Sequence, residues 1–247
     1  MTLQNLLGLT RKAIDDYNMI EDGDKIAIGL SGGKDSLSLL FALHEMRRFY
    51  PKKYELFAIT VCLGFDGFDP SPAASVCKEL DIPYSVVKTD IGDVVFNKRK
   101  EQNPCSLCSK MRKGALHNEA LRLGCSKVAL GHNKDDVIQT FFLSMFFESR
   151  IHTFRPVNYL DRKKIHLLRP LVYVPEKDIA GFIKKLGAAI VVNPCPVEKH
   201  TKRAVIKDFI AEQSKIYDNF DDRIFGQIQR LPIAGWERNN ANVTKLP

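Results

Sequence analysis

The sequence contains no long apolar run, since none of its 247 residues belongs to a stretch near the roughly 18 apolar residues that span a membrane. Four charged side chains interrupt the apolar N-terminal segment, namely Arg11, Lys12, Asp15 and Asp16. That segment therefore lacks the hydrophobic core of a secretory signal peptide. We expect a cytoplasmic protein without a membrane attachment.

The sequence also lacks the patterns of a disulfide framework or of a complete zinc site. Its six cysteines are Cys62, Cys77, Cys105, Cys108, Cys125 and Cys195. A cytoplasmic compartment keeps thiols reduced, so these cysteines are not expected to form disulfides. Only one C-x-x-C pair is present, and no H-x₃₋₅-H pair complements it. A four-ligand zinc site would have to recruit scattered cysteines.

Positive charge exceeds negative charge, with 37 Lys and Arg against 29 Asp and Glu and a formal net charge of +8. A surplus of this size favours a polyanionic partner such as RNA. Four basic segments are candidates for contacts with tRNA phosphates, although each also suits a solvated surface. They are NKRK (97–100), KMRK (110–113), DRKK (161–164) and KHTKR (199–203).

Apolar runs of strand character alternate with segments of helical periodicity. The strand-like runs are 25–30, 54–65, 82–90, 127–132, 165–174 and 188–192. The predicted helices are 3–18, 35–48, 70–80, 106–123, 135–150, 176–187 and 202–217. This alternation predicts an α/β fold, a doubly wound and mostly parallel sheet of Rossmann-like type. The apolar helix 135–150 is predicted to be largely buried, and the basic stretch 97–105 to be a loop.

The predicted organisation is one main domain with small additions. Residues 1–20 form an N-terminal helix and 21–197 the main α/β domain. A C-terminal helical extension follows over 198–236, and 237–247 is expected to be a flexible tail.

The strongest local signal is SGGKDS, between a buried strand and a helix. Glycines and successive backbone N–H groups in that context form a phosphate-binding nest. Its predicted ATP-binding residues are Ser31, Gly32, Gly33, Lys34, Asp35 and Ser36. The spacing is neither Walker A nor G-x-G-x-x-G. A plain glycine-rich turn is the alternative.

A second segment, GHNKDD (131–136), follows the fourth predicted strand. Carboxyl ends of parallel strands meet at one edge of a sheet, so this segment and SGGKDS are expected to face one crevice. Gly131 and His132 are predicted to contact ATP. The carboxylates of Asp35, Asp135 and Asp136 are predicted candidates for holding Mg²⁺. Alternatively, Asp135 is a helix N-cap and Asp136 a favourable first-turn charge.

Cys105 and Cys108 lie at the start of a predicted helix, whose N-terminus stabilises thiolates. The same spacing serves zinc, redox disulfides and iron–sulfur clusters. Cys195, in the turn NPCP, is the best candidate for a third ligand. The alternative role for Cys195 is that of a buried turn residue, since cysteine also packs as a small hydrophobic side chain.

Taken together, the chain resembles the tRNA 2-thiocytidine synthetase family of the PP-loop ATP pyrophosphatase superfamily over about residues 20 to 235. The matching segments are SGGKDS (31–36), CSLCSKMRKG (105–114), LGCSKVALGHNKDDVIQTFF (123–142), LLRPL (167–171), EKDI (176–179) and NPC (193–195). Many members of that family carry a second C-x-x-C where this chain has CPVEK (195–199). The third-ligand role therefore rests on Cys195.

The resemblance implies an adenine nucleotide alpha hydrolase type of fold and a sulfurtransferase that splits ATP into AMP and pyrophosphate. It implies a 4Fe-4S cluster on Cys105, Cys108 and Cys195, with Mg²⁺ assisting ATP, and catalytic roles for Arg112 and Asp136. The substrate would be a cytidine of the tRNA anticodon loop, with sulfur from a cysteine desulfurase or another sulfide donor. A homodimer is a further candidate assembly. The rival interpretations are another PP-loop tRNA-modifying enzyme and a non-catalytic, zinc-bearing RNA-binding protein.

Overall fold

The computed structural model describes residues 1–99, 104–191, 195 and 202–237. Its strands form one sheet in the order β3-β2-β1-β4-β6-β5. The strands are β1 (Asp24–Gly29), β2 (Tyr54–Cys62), β3 (Tyr84–Lys88), β4 (Lys127–Ala129), β5 (Val157–Leu160) and β6 (Ile165–Leu168). The helices are α1 (Leu3–Asp16), α2 (Lys34–Met46), α3 (Ser71–Glu79), α4 (Ile91–Asp93), α5 (Pro104–Arg122), α6 (Lys134–Glu148), α7 (Glu176–Leu186), α8 (Lys202–Ile216) and α9 (Phe220–Arg230).

The central strand β1 pairs in parallel with β2 on one side and β4 on the other, so that Ile26 lies opposite Leu56 and Lys127. Only β5 runs antiparallel, against β6. Apolar side chains cover both faces of the sheet, as expected for parallel strands crossed by helices. Leu116 and Ala120 of α5 pack on one face, and α1, α2, α6 and α7 contribute to the larger core on the other. The predicted doubly wound, mostly parallel fold is confirmed.

Both ends of the described chain join the larger core. Leu6 and Ile14 of α1 are fully buried, and Trp236 is 1% exposed. The Trp236 ring meets Tyr17 edge to face at 5.9 Å between ring centroids, and its Nε1 donates to the Phe154 carbonyl at 3.1 Å. The first helix and the C-terminal segment therefore stabilise the sheet domain directly. Within the described ranges, no helix combines the length and apolar character needed to cross a bilayer.

Three predicted elements differ from the structure. No strand was predicted at β5. This four-residue edge strand pairs only with β6 among the described strands, so its sequence does not need the apolar run that marks a buried strand. The run 188–192 forms no strand over its described part, because Val191 N instead donates to the Gly32 carbonyl at 3.0 Å. The predicted loop 97–105 begins in a π-helical turn (Val94–Lys98), and its last two residues open α5.

The prediction that α6 is largely buried holds for most of the helix, but its last turn is exposed. Val137 and Ile138 are buried, but Met145, Phe146 and Phe147 are 37%, 50% and 46% exposed. The Phe146 ring is covered in part by Phe209 of α8, at 5.5 Å between centroids. Most of the predicted tail 237–247, the NP of the NPCP turn (193–194) and the start of KHTKR (199–201) lie outside the described residues.

Candidate functional site

The SGGKDS loop joins the end of β1 to the start of α2. Gly33 occupies the N-cap position of α2 in extended conformation, so the free N–H groups of the first helical turn point out of the loop, where an anion binds well. Gly32 has a φ of +79°, and a Cβ at this position would lie 2.4 Å from Val191 Cγ2. Both the backbone angle and the close approach require glycine.

Two serines hold this loop in shape through hydrogen bonds within it. Ser36 Oγ donates to the Gly33 carbonyl at 2.9 Å, and Ser31 N donates to Ser36 Oγ at 3.2 Å. Ser36 is only 5% exposed. Its hydroxyl therefore fixes the curvature of the loop, which leaves the backbone N–H groups as the main phosphate donors.

Lys34 is held by two carboxylates at the edge of the loop. Its Nζ lies 2.9 Å from Asp35 Oδ2 and 2.9 Å from Glu176 Oε1. Burial favours a lower pKa for Lys34, but the hydrogen bonds to these two acids raise the pKa above its ordinary value. Lys34 is therefore a fixed positive charge. Sequence reasoning missed Glu176, although it begins the EKDI segment.

The GHNKDD loop contacts the phosphate loop directly. Asn133 Nδ2 donates to Asp35 Oδ1 at 2.9 Å, and a Cβ at Gly131 would lie 2.9 Å from the Asp35 carbonyl carbon. The structure therefore brings the two predicted loops to one crevice. Asn133, not Asp135, caps α6, and it forms a capping box with Asp136. The alternative that Asp135 is the N-cap is wrong.

Asp136 is a half-buried carboxylate whose two oxygens have separate partners. Asn133 N donates to Oδ2 at 3.1 Å, and Arg203 Nη1 donates to Oδ1 at 3.0 Å. Burial raises the pKa of Asp136, and the nearby Asp35 raises it further, while Asn133 and Arg203 act in the opposite direction. Arg203 belongs to KHTKR, a candidate segment for contacts with tRNA phosphates, and it also orients Asp136.

Asp135 points away from the phosphate loop. Its Oδ2 accepts from the Glu176 N–H at 2.6 Å. It also lines two cavities of about 180 and 250 Å³ among α6, α8 and α9, neither of which includes a residue of SGGKDS. Asp136, rather than Asp135, therefore lies near Asp35.

The three predicted cluster cysteines come together although Cys195 is distant in sequence. Cys108 is half-buried in the second turn of α5, and burial raises the pKa of its thiol. Arg112 lowers that pKa, whereas Cys195 and Cys105 raise it, so all three sulfurs are within electrostatic range. Cys195 follows Val191, which is bonded to Gly32, by four residues that span at most about 14 Å. The cysteines and the phosphate loop are therefore neighbours.

The donor set fits an iron–sulfur cluster better than a single metal ion. Thiolates are the usual ligands of such clusters, and three of them leave one iron free of protein. Among the described residues, no group of three His, Cys, Asp or Glu side chains is arranged to hold one metal ion. The three thiols therefore have the donor chemistry of an iron–sulfur cluster.

The remaining cysteines give a test of this ligand set. Burial raises the pKa of both Cys77 and Cys125 to about 11, which leaves about one thiolate in ten thousand at neutral pH. We expect iodoacetamide to modify Cys105, Cys108 and Cys195 in cluster-free protein and to spare Cys77 and Cys125, as measured by peptide mass spectrometry. Reconstitution with iron and sulfide should protect the same three cysteines. Protection of Cys125 with continued labelling of Cys195 would contradict the assignment.

His132 lies in a basic environment beside the two loops. Its ring packs on Phe154 at 5.0 Å between centroids. Burial lowers the pKa of His132 to about 3, and four cations contribute: Arg169, Arg203, Lys113 and Arg112. His132 is therefore a neutral imidazole at physiological pH. Sequence reasoning did not single out Arg169, although LLRPL contains it.

Arg112 connects the two halves of the site. Its charge acts both on Cys108 and on His132 of the GHNKDD loop. The cysteine group, the basic cluster and the phosphate loop therefore form one continuous site at the carboxyl edge of the sheet. Such a site can bind a nucleotide, stabilise developing negative charge and hold a sulfur-bearing group.

Comparison with known proteins gives consistent matches. The model of the PP-loop domain family matches residues 7–214. The tRNA-cytidine(32) 2-sulfurtransferase of Pseudomonas putida (strain GB-1) is 36% identical over 246 residues, covering 98% of this chain and 90% of the relative. That of Dichelobacter nodosus (strain VCS1703A) is 38% identical over 229 residues, covering 92% and 86%.

Among solved structures, the U34-tRNA thiolase NcsA from Methanococcus maripaludis with its 4Fe-4S cluster has a TM-score of 0.75 and 25% identity, covering 92% of this chain and 79% of that one. An NH3-dependent NAD synthetase from Campylobacter jejuni has a TM-score of 0.51 at 14% identity, covering 93% and 94%, and is similar in fold alone.

Proposed function

Because the chain belongs to the PP-loop family that includes the tRNA-cytidine(32) 2-sulfurtransferases, we propose that it is an ATP-dependent tRNA thiolase that converts an anticodon-loop cytidine to 2-thiocytidine. The observation that carries this proposal is the contact between the segment that leads to Cys195 and the phosphate loop, where Val191 N donates to the Gly32 carbonyl at 3.0 Å. An ATP site and a sulfur site that lie side by side suit a reaction that activates an oxygen and then replaces it with sulfur.

ATP binds with its phosphates on the free N–H groups of the first turn of α2 and beside the fixed charge of Lys34. Asp35, which the Asn133 amide holds at the phosphate loop, would bind Mg²⁺ against those phosphates, whereas the predicted Asp135 bonds to the Glu176 N–H instead. The cytidine C2 oxygen attacks the α-phosphate, pyrophosphate leaves, and the oxygen becomes part of an AMP leaving group. Arg112 stabilises the negative charge that develops there.

The second half of the reaction is attack of sulfur on C2 with departure of AMP. Cys105, Cys108 and Cys195 would hold a 4Fe-4S cluster, which would supply the sulfur-binding chemistry when bound. Asp136, oriented by Asn133 and by Arg203, is placed to accept or return a proton near the reacting base. His132 stays neutral and adds no competing positive charge.

The remaining assignments are proposals with a narrower basis. A cysteine desulfurase or another sulfide donor supplies the sulfur, and the reaction takes place in the cytoplasm. The exposed apolar end of α6 (145–147) supports a homodimer, which sedimentation would detect. The family model crosses the boundaries proposed at residues 20 and 197. The division into 1–20, 21–197, 198–236 and 237–247 remains a proposal about the organisation of the chain.

The proposed function predicts AMP and pyrophosphate as the products of ATP in the presence of Mg²⁺ and unmodified tRNA. Asp35→Ala should reduce AMP formation by at least about 100-fold, since it removes both a proposed Mg²⁺ ligand and the bond to Asn133. Ser36→Ala should have an effect in the same direction, because its hydroxyl shapes the loop. Circular dichroism should show both variants folded. ADP and phosphate as products would exclude the PP-loop reaction.

Nucleoside mass spectrometry of tRNA from a deletion strain identifies the modified base. We expect loss of 2-thiocytidine and its return when the wild-type gene is supplied. Loss of a thiolated uridine instead would assign the chain to the reaction of its structural neighbour, and loss of no thiolated nucleoside would refute the proposal.

A further inference from the structure

Arg169 is a buried cation whose bonding is incomplete. Its side chain lies just beyond β6 and is 8% exposed, with Nη1 donating to the Arg155 carbonyl at 2.6 Å. The guanidinium packs over the Phe154 ring at 4.8 Å. Its Nε is buried without a hydrogen-bond partner, and so is Nδ1 of His132, whose ring packs on the same Phe154. Two unpartnered buried nitrogens at one place are costly unless a ligand supplies acceptors.

No carboxylate of the described residues offsets this charge. Burial lowers the pKa of Arg169 to about 10. Burial also lowers the pKa of Lys113, and Arg169 and Arg112 lower it further. Arg112 acts on the pKa of Cys108 as well. Lys113 and Arg169 are thus neighbouring cations, and no carboxylate of the described residues contributes to the pKa of either.

A basic surface leads from solvent to this pair. Lys113 is exposed on α5, and Lys163 of the β5–β6 turn reaches the same helix, where its Nζ donates to Asn118 Oδ1 at 2.8 Å. Both lysines act on the pKa of His117, between them on α5. The predicted segments KMRK and DRKK thus meet on one face. By contrast, Lys98 of NKRK is paired with Asp93 at 2.9 Å.

We propose that Lys113, Arg169 and His132 form a phosphate-binding site that takes one phosphodiester of the RNA substrate, next to the nucleotide that enters the crevice. This inference rests on the proposed function. Arginine and lysine provide the charge and the N–H donors that a phosphate oxygen accepts, and the Nδ1–H tautomer of His132 adds one more. Phosphate contacts of this kind position RNA without selecting its sequence.

A phosphate of ATP, rather than of RNA, is the other ligand that such a site would bind. The contacts of Lys34 disfavour ATP. Lys34, the cation of the phosphate loop, is occupied by Asp35 and Glu176 and is not among the charges that act on His132. The site therefore lies on the cysteine side of His132, where α5 opens to solvent.

The test compares Lys113→Gln with Lys78→Gln, which removes an equal charge from an exposed, unpaired lysine on α3. Affinity for unmodified tRNA is measured by fluorescence anisotropy over a range of KCl concentrations. Loss of one phosphate contact should reduce the slope of log affinity against log salt by about 0.7 to 0.9. We expect that reduction for Lys113→Gln and an unchanged slope for Lys78→Gln. Equal slopes for Lys113→Gln and wild type would overturn the proposal.

A second measurement separates the two phosphate sources. Calorimetry with ATP and with inorganic pyrophosphate should give wild-type affinities for Lys113→Gln and for Arg169→Gln. Weakened nucleotide binding with intact tRNA binding would assign the site to ATP instead. Arg169→Gln alters a buried residue, so the exposed Lys113→Gln decides the matter if the other variant does not fold. Wild-type protein that neither binds nor thiolates tRNA would refute the proposed function itself, a result distinct from an unchanged slope.

Discussion

The Cys195→Ser variant is expected to lose the 4Fe-4S cluster and all tRNA thiolation while it keeps its affinity for ATP. A serine oxygen replaces the third thiolate ligand poorly, and two thiolates from Cys105 and Cys108 leave a cluster open to loss. ATP binding should persist because the Val191 backbone, which the substitution leaves intact, holds this segment against the phosphate loop. The cluster is measured as iron and sulfide per chain after anaerobic reconstitution. Nucleoside analysis measures tRNA thiolation, and calorimetry measures the affinity for ATP.

The matched control is Cys62→Ser, since Cys62 is half-buried like Cys195 but ends β2. It should keep about four irons per chain, the composition of this cluster type. A Cys195 variant with a full complement of iron would place the third ligand elsewhere. Native protein that binds only zinc would refute sulfur transfer as proposed and favour a structural metal.

The parts of the site that the sequence predicted are those that local geometry determines. SGGKDS lies between an apolar run and a helix, and positive φ at Gly32 follows from a turn that only glycine makes easily. GHNKDD could be assigned to the same crevice because parallel strands present their carboxyl ends at one edge. The alternation of strands and helices predicted the mostly parallel sheet, but the order β3-β2-β1-β4-β6-β5 and the antiparallel strand β5 emerge only from the structure.

The residues that sequence reasoning missed owe their roles to tertiary contacts. Arg203 reaches Asp136 across 67 positions of sequence, and in isolation KHTKR looks the same as a solvated basic surface. Glu176 becomes a partner of Lys34 only when α7 packs beside α2. Arg169 carries no local pattern beyond LLRPL, because its importance comes from burial among other cations. Local patterns locate phosphate loops, whereas charge pairing requires the fold.

Gly32→Ala is expected to abolish ATP-dependent AMP formation, with a loss of at least about 100-fold. A side chain at a φ of +79° costs about 1–2 kcal/mol, since the left-handed region crowds Cβ. The added methyl group would also lie 2.4 Å from Val191 Cγ2 and 2.5 Å from its Cβ. Relief of that overlap must displace either the phosphate loop or the segment that leads to Cys195. Radiolabelled ATP and thin-layer chromatography measure the product.

Gly67→Ala separates the effect on the site from the effect on stability. Gly67 has the same φ of +79°, but nothing lies within 4 Å of a Cβ there. Both variants should therefore lose a few degrees of melting temperature, about 2–4 °C for each kcal/mol in a chain of this size. Only Gly32→Ala should lose AMP formation. If both variants lost equal stability and both kept activity, the conformation of Gly32 would not be required for phosphate binding, and the backbone of residues 31–36 would not be the ATP site.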